Sequence, residues 1–314
     1  MTTPTRPWNI EEVGRDLREV RLAWRAANRH NVEVGTKGFP SRATIEEIVR
    51  ALAAGLFPQR LGTLDGVEDE DDYVAAMLDH ALSELLEQVA LELGYWSDGQ
   101  AEGFGRQDAE TVLRHFAAAL PEVRTLIDSD IEAAYLADPA ARSIDEVLIC
   151  YPCAVAVIHY RLANQLHNLG APLVARIISE VANARTGIDI HPGATIGPGF
   201  FIDHGTGVVI GETAIIGARV RLYQAVTLGA RRLPAQEQGS VRKRYARHPI
   251  VEDDVTIYAG ATILGRVTIG EGSTIGGNVW LTEGVPPQSI VTQAEPRHRV
   301  TRRLVPSIVE AFAE

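Results

Sequence analysis

An aliphatic residue recurs at every sixth position between residues 251 and 281, and this spacing constrains the fold more than any other feature. The positions are Val251, Ile257, Ile263, Ile269, Ile275 and Leu281. An α-helix repeats every 3.6 residues and a single strand every two, so neither produces a period of six. Hexapeptide repeats are typical of a parallel β-helix, in which each repeat forms one side of a triangular coil.

The same period runs through an earlier segment of the chain. It holds at Ile190, Ile196, Ile202 and Val208 and, after a shift of two residues, at Ile210, Ile216, Leu222 and Leu228. Small residues follow several of these positions, where the backbone must turn a corner. We therefore predict that the β-helix occupies residues 186–285 and is left-handed.

The first part of the chain lacks the six-residue period and shows helical spacing of apolar residues instead. Helices are expected within 8–55, at 43–56, 73–94, 107–119, 121–136, 144–168 and 171–184. The predicted fold is α+β: an N-terminal all-helical domain at 1–185, which covers one end of the coils, followed by the β-helix. A C-terminal tail at 286–314 is expected to add one short helix.

Charge is divided unevenly between these parts. Residues 1–185 carry 29 acidic and 17 basic side chains, and the remainder 12 and 13. This acidic balance argues against nucleic acid or an anionic membrane as a partner. Since no apolar run reaches about 18 residues and the first residues lack a signal core, we expect a cytoplasmic protein. The pair Cys150 and Cys153 is interpreted as two small buried side chains, since no second pair accompanies it.

The period lapses at 229–250, where GARRLPAQEQGSVRKRYARHPI interrupts the coils. A long insertion without periodicity inside a solenoid is usually functional. It carries a basic cluster that suits an anionic ligand, made of Arg231, Arg232, Arg242, Lys243, Arg244 and Arg247. We expect it to protrude and reach a neighbouring subunit, because the flat sides of a β-helix favour cyclic homo-oligomers with clefts between copies.

Charged residues stand at coil positions where small or amide residues are usual, in TGIDIHP and FIDHGTG. They are Asp189, His191, Asp203 and His204. A histidine with a carboxylate is the minimum equipment for removing a proton from a hydroxyl. Asp189 and His204 would lie on adjoining sides and levels of the coils, so they could approach one another. A purely structural role for either histidine is an equally open alternative.

Taken together, these motifs resemble the serine O-acetyltransferase family. The resemblance is dense through TGIDIHPGATIGPGFFIDHGTGVVIGETAIIG, VRLYQAVTLGA and RHPIVEDDVTIYAGATILG, and the helical segment DIEAAYLADPAARSIDEVLICYPCAVAVIHYRLANQL also resembles the family. It implies transfer of acetyl from acetyl-CoA to the L-serine hydroxyl, giving O-acetylserine for cysteine biosynthesis. The resemblance further implies His204 as the general base, Asp189 as the residue that orients it, and His248 as a catalytic partner in the same cleft.

The substrate sites also follow from the resemblance. Asp138 and Asp203 would hold the serine ammonium and Arg247 its carboxylate. The acetyl-CoA site would lie along the C-terminal coils, at Ala259, Gly260, Gly276 and Gly277. Acetyl-CoA enters as a co-substrate, with no permanently bound cofactor, metal or covalent acyl-enzyme. A homotrimer or a dimer of trimers is implied.

The sequence departs from the family pattern in three places. The loop before Arg247 is longer and more basic than usual, and Tyr258 stands where glycine is frequent. The chain ends Phe312-Ala313-Glu314 without the terminal isoleucine, so a complex with O-acetylserine sulfhydrylase is not expected. Three alternatives remain: a hexapeptide acyltransferase with another hydroxyl acceptor, a β-helical zinc carbonic anhydrase, whose histidine spacing differs, and a catalytically silent scaffold.

Overall fold

A computed structural model describes residues 8–27, 38–64, 66, 69–96, 106–231 and 245–294. Helices fill the first part of this range: α1 (Ile10–Ala27), α2 (Arg42–Leu56), α3 (Pro58–Leu61), α4 (Glu70–Trp96), α5 (Arg106–Ala137), α6 (Ile144–Cys150), α7 (Pro152–Asn168) and α8 (Pro172–Thr186). The predicted basic cluster lies largely outside the described residues, as do residues 97–105 and the predicted tail helix.

The prediction that a helix ends before Pro121 and a new one begins there was wrong. The segments 107–119 and 121–136 form one helix, α5, which continues through Pro121. The buried side of α5 runs unbroken across this point, with Phe116, Leu120 and Val123 all in the core. Burial of that continuous face outweighs the single backbone hydrogen bond that proline removes.

The segment 144–168, predicted as one helix, is two helices that meet at an angle of 77°. The break falls at Tyr151, which adopts extended backbone, with Pro152 opening α7. Proline disfavours helical backbone at the preceding residue but suits the first helical position. None of the described helices is by itself long and apolar enough to cross a bilayer, although α6 and α7 together reach that length and composition.

The same break corrects the interpretation of the two cysteines. Cys153, on α7, is buried as predicted, whereas Cys150, the last residue of α6, is exposed. The change of helix direction at Tyr151 places the two side chains in different surroundings. Burial raises the pKa of the Cys153 thiol to about 12, so this group stays protonated.

The predicted left-handed parallel β-helix is confirmed. Its strands are β1 (Asp189–Ile190), β2 (Thr195–Ile196), β3 (Phe201–Ile202), β4 (Val209–Ile210), β5 (Ile215–Ile216), β6 (Arg221–Leu222), β7 (Thr227–Gly229), β8 (Ile250–Val251), β9 (Thr256–Ile257), β10 (Thr262–Leu264), β11 (Thr268–Ile269), β12 (Thr274–Ile275), β13 (Trp280–Leu281) and β14 (Ile290–Val291). They form three parallel sheets ordered β1-β4-β7-β10-β13, β11-β8-β5-β2 and β14-β12-β9-β6-β3. The periodic aliphatic residues point inward and stack as the core.

Coil length varies in a way that positions the candidate site. Asp189 pairs with Val209, twenty residues further on, whereas Val209 pairs with Thr227 after eighteen. The two extra residues lie in the corner at 203–208, which carries Asp203 and His204. A larger insertion separates Ile215 from its partner Ile250. The strands also continue past residue 285, because β14 pairs with β12 inside the segment predicted as tail.

The helical part is fastened to the first coil by buried polar contacts. Arg161 on α7 and Asp130 on α5 form an ion pair at 2.9 Å, with side-chain exposures of 4% and 1%. Arg161 also donates to the carbonyl oxygens of Ile196 and Gly197, and Asp130 accepts from the backbone N–H of Phe200. Because every partner is hydrogen-bonded, the buried charges are compensated and the two parts are held in a defined orientation.

Candidate active site

The charged residues singled out in the sequence fall at two edges of the triangular coil. One edge, the Asp203 corner, comprises Asp138, Tyr151, Asp203, His204 and Arg221. The other, the His248 corner, comprises His191, Glu212, Thr213, Arg247 and His248. The sheet β1-β4-β7-β10-β13 lies between them, since each of its strands leaves one corner and enters the other.

Asp138 reaches the Asp203 corner from the helical part of the chain, directly after α5. Its Oδ2 accepts a hydrogen bond of 2.5 Å from the hydroxyl of Tyr151, the residue at the break between α6 and α7. This bond lowers the pKa of Asp138 and raises that of Tyr151 to about 12. The pair therefore stays as carboxylate and protonated phenol over the neutral pH range.

Arg221 joins Asp138's segment to the coil. Its Nη2 lies 2.6 Å from Oδ2 of Asp203, and its Nη1 donates to the carbonyl oxygen of Ala137 at 3.2 Å. The guanidinium lies over the rings of Phe201 and Tyr223, at 5.1 and 4.7 Å. Stacking and ion pairing together restrict this side chain to one position.

His204 occupies the most exposed place at this corner. Its backbone is left-handed, with φ at 59°, and its side chain is 76% exposed. Nε2 lies 3.8 Å from Oδ1 of Asp203, within ion-pair range but too long for a hydrogen bond. Asp203 thus presents one carboxylate oxygen to Arg221 and the other to His204.

Asp189 has its charged neighbour on a helix. The structure describes no hydrogen bond or ion pair between Asp189 and His204. Its charged neighbour is Arg176 on α8, whose Nη1 lies 3.7 Å from Oδ1. Burial raises the pKa of Asp189 in spite of this guanidinium. The structure therefore brings Asp138, Asp203 and His204 together, but it leaves Asp189 on the adjoining sheet face.

At the His248 corner, Arg247 and His248 are bound to the coil below them. Arg247 forms an ion pair of 2.6 Å with Glu212, and Thr213 contacts the His248 imidazole. Burial, followed by the charge of Arg247, lowers the pKa of His248 to about 4. The pKa of His191, on the next coil down, is likewise lowered to about 4, again chiefly by burial. Both imidazoles are neutral at pH 7.

The residues predicted to bind the acyl donor lie on the same edge as Asp203. Ala259 and Gly260 turn one coil there, and Gly276 and Gly277 turn the next. Gly260 has φ at 73°, and a β-carbon there would overlap the Asn278 side chain. Glycine at this position is therefore required by the close stacking of one coil on the next.

Tyr258 extends the aromatic surface of this edge. Its ring stacks on that of Tyr223, with centroids 4.8 Å apart and planes inclined by 12°. Because Tyr223 in turn lies beneath Arg221, a continuous stack connects Asp203 to the coil that carries Ala259. Sequence reasoning marked Tyr258 as unusual but missed the stack.

Several functional candidates escaped the sequence analysis. Tyr151, Arg221, Glu212 and Thr213 each hold a predicted site residue, yet none was assigned a role. Tyr151 stands in a Tyr-Pro pair, and Glu212 and Thr213 end the segment VVIGET, so the sequence did offer a signal for these three residues. Arg221 offered a weaker signal, a charged residue at an outward strand position.

Two further observations limit what the site contains. Among the described residues, no group of three or more histidine, cysteine or acidic side chains is arranged to hold a metal ion. A cavity of about 450 Å³ lies elsewhere, between α3, α5 and α6. Its charged lining includes the ion pair Arg60–Asp145, at 2.7 Å. The chemistry-bearing residues lie instead at the two corners described above.

Comparisons with known proteins identify related chains. Residues 248–283 match the family model described as bacterial transferase hexapeptide (six repeats). The chain is 53% identical over 266 residues to the plasmid serine acetyltransferase of Synechococcus elongatus, covering 82% of this chain and 83% of that protein.

Solved structures give the same result. Serine acetyltransferase isoform 3 of Entamoeba histolytica, in complex with cysteine, superposes with a TM-score of 0.68 at 34% identity, covering 82% of this chain and 84% of that one. The serine acetyltransferase of Neisseria gonorrhoeae, in complex with serine, superposes with a TM-score of 0.52 at 25% identity, covering 80% and 96%.

Proposed function

The chain belongs to the serine acetyltransferase family, and we propose that it transfers the acetyl group of acetyl-CoA to the L-serine hydroxyl at the Asp203 corner. The product, O-acetylserine, would serve cysteine biosynthesis. The observation that carries this assignment to particular residues is the arrangement of Asp138, Asp203 and Arg221 beside the exposed imidazole of His204.

The charges at this corner suit an amino-acid ammonium group. Asp138 and Asp203 contribute two negative charges, and Arg221 offsets one of them. A single net negative charge remains for a monocation. Asp138 keeps its charge because the Tyr151 hydroxyl lowers its pKa. Charge-assisted hydrogen bonds to both carboxylates would orient the substrate so that its hydroxyl faces His204.

In this proposal His204 removes the hydroxyl proton as the oxygen attacks the thioester carbonyl. The proton passes to the imidazole, the C–S bond breaks, and the CoA thiolate leaves and takes up a proton. Oδ1 of Asp203 lies 3.8 Å from Nε2 of His204, close enough for its negative charge to stabilise the imidazolium that forms. Asp189 remains the proposed orienting residue, acting from a neighbouring copy or after a small movement.

The serine carboxylate is assigned to Arg247 and His248 of a neighbouring subunit. The structure describes no hydrogen bond or ion pair between the Asp203 corner and the His248 corner. One copy therefore presents half of a zwitterion site at each edge, which favours a cyclic assembly that joins unlike edges. We propose a homotrimer, or a dimer of trimers, with three shared sites in each ring.

The acyl donor would lie along the coil corners at Ala259, Gly260, Gly276 and Gly277, on the same edge as His204. We also propose a cytoplasmic location, which the two free cysteines support. An acyltransferase with another hydroxyl acceptor is the alternative within the same fold.

The acceptor is tested by release of free CoA, read with a thiol reagent. L-serine is expected to support rapid release, whereas homoserine and sugar alcohols give little. A longer acceptor places its hydroxyl at a different distance from His204. The effective concentration of that hydroxyl at the base depends on this distance. Release with a sugar and not with serine would favour the alternative acceptor, and an absence of thiol release with every acceptor would contradict acyl transfer.

The Tyr151 hydroxyl provides a test of pH dependence. Its hydrogen bond lowers the pKa of Asp138, so the carboxylate stays charged to lower pH than an ordinary aspartate. In Tyr151→Phe that pKa rises, and Asp138 becomes protonated earlier as the pH falls. We expect KM for serine to increase about three- to ten-fold, with its rise on the acid side beginning at higher pH. KM for acetyl-CoA serves as the control. If the pH dependence of KM for serine on the acid side is unchanged, Asp138 does not hold the serine ammonium group.

A further inference from the structure

The side chain of Thr213 lies at the centre of the hydrogen bonds at the His248 corner. Its Oγ1 accepts from the backbone N–H of Arg247 at 2.8 Å and from that of His248 at 3.1 Å, and lies 2.9 Å from His248 Nδ1. We propose that Thr213 is a positioning residue that fixes both the tautomer of His248 and the backbone that carries Arg247. This inference rests on the proposed function, whose serine carboxylate these two residues would bind.

The tautomer follows from the partners of the imidazole. The backbone N–H of Thr213 points at Nδ1, at 3.0 Å, and an amide N–H can only donate. Nδ1 must therefore be the acceptor, and the proton of the neutral ring resides on Nε2. The low pKa of His248, caused first by burial, agrees with a neutral ring.

Packing prevents the ring from turning over to exchange its nitrogens. A β-carbon at Gly211 would overlap the His248 ring, so the imidazole lies directly on the backbone of that glycine. Nη1 of Arg266 donates to the backbone carbonyl oxygens of Thr213 and His248, at 2.6 and 3.0 Å. Gly211, Thr213 and Arg266 thus hold the ring and its backbone in one orientation.

The chemical consequence is that the His248 imidazole offers one N–H donor to a ligand. Nε2–H is the ring position left for a ligand, because Nδ1 is already used. Beside it, Glu212 holds the Arg247 guanidinium at 2.6 Å. A neutral N–H and a guanidinium together match the two oxygens of a carboxylate, whereas the other tautomer would present a lone pair and repel it.

The test compares Thr213→Val, which keeps the shape but removes the hydroxyl, with Thr213→Ser, which keeps it. The valine variant leaves the N–H groups of Arg247 and His248 without their acceptor, and we expect KM for L-serine to rise about ten-fold or more. The serine variant is expected to remain within about three-fold of the parent. KM for acetyl-CoA should change little in either, and Thr195→Val, on the exposed side of β2, is the matched control.

A second readout does not depend on activity. In protein carrying ¹⁵N-labelled histidine, the His248 signal is identified by its loss in His248→Asn. In the parent, its proton coupling is expected on Nε2, and in Thr213→Val it should remain there, because the backbone N–H of residue 213 is kept. A proton on Nδ1 in the parent, or identical serine KM values for the valine and serine variants, would overturn the proposal. If the parent lacks serine-dependent thiol release but keeps the Nε2 proton, the proposed function fails while the positioning role stands.

Discussion

Replacing His204 with alanine is expected to lower kcat by about 10²- to 10⁴-fold, the range for a positioned general base. No other imidazole is described at the Asp203 corner, and the carboxylates that remain there are weaker bases at neutral pH. Because Asp138 and Asp203, which are proposed to hold the serine ammonium group, are unchanged, KM for serine should change much less than kcat. The measurement is initial thiol release at saturating serine and acetyl-CoA.

A matched variant separates loss of the base from loss of the fold. His115, on the exposed side of α5, is changed to alanine in parallel and should retain parent activity. Co-expression of His204→Ala with His248→Ala adds a test of the shared site. If sites combine unlike corners of neighbouring copies, about a quarter of them regain both intact halves. A His204→Ala enzyme with parent kcat would remove this residue from the mechanism.

Asp130→Asn is expected to lower the free energy of unfolding by about 3–5 kcal/mol. The substitution preserves size but leaves the buried charge of Arg161 without a counter-charge, in a place where both side chains are almost fully enclosed. The contact also joins α5 and α7 to the first coil, so its loss should loosen the helical part before the coils unfold. Urea denaturation at fixed protein concentration, followed by circular dichroism, gives the value.

The control for this result replaces both partners by apolar residues. Asp130→Leu with Arg161→Met removes the charges together and should be less destabilised than the two single variants added together. It should not recover full stability, because the carbonyl oxygens of Ile196 and Gly197 lose their donor. By comparison, the exposed pair Arg124–Asp128 should change stability by less than about 1 kcal/mol when broken. Equal stability of Asp130→Asn and the parent would contradict a stabilising role for the Arg161–Asp130 ion pair.

The coils were predictable because their core repeats at a fixed interval. Ile257, Ile263 and Ile269 occupy the inward position of successive strands, and no other regular structure gives that spacing. The grouping of Asp203 with His204 could also be read from the sequence, since both lie in one enlarged corner. Local periodicity was sufficient wherever one coil stacks on the next.

The remaining features depend on contacts between distant segments. Pro121 and Pro152 look alike in sequence, yet the first lies within a helix and the second separates two, because only tertiary packing decides whether a helix continues. The partner of Asp189 is Arg176, a residue on α8 that no spacing rule connects to it. Arg221 and Thr213 act by holding other side chains, and their importance becomes visible only when those partners are close.

The two insertions in the β-helix are each confined to one corner. Two extra residues at 203–208 and the longer segment before Arg247 leave the strands above and below in register. An architecture that tolerates insertion at its vertices can acquire or exchange reactive loops without rebuilding its interior. Divergence toward new acceptors in this lineage would then proceed by corner replacement, and chimaeras that swap only those loops should fold as readily as their parents.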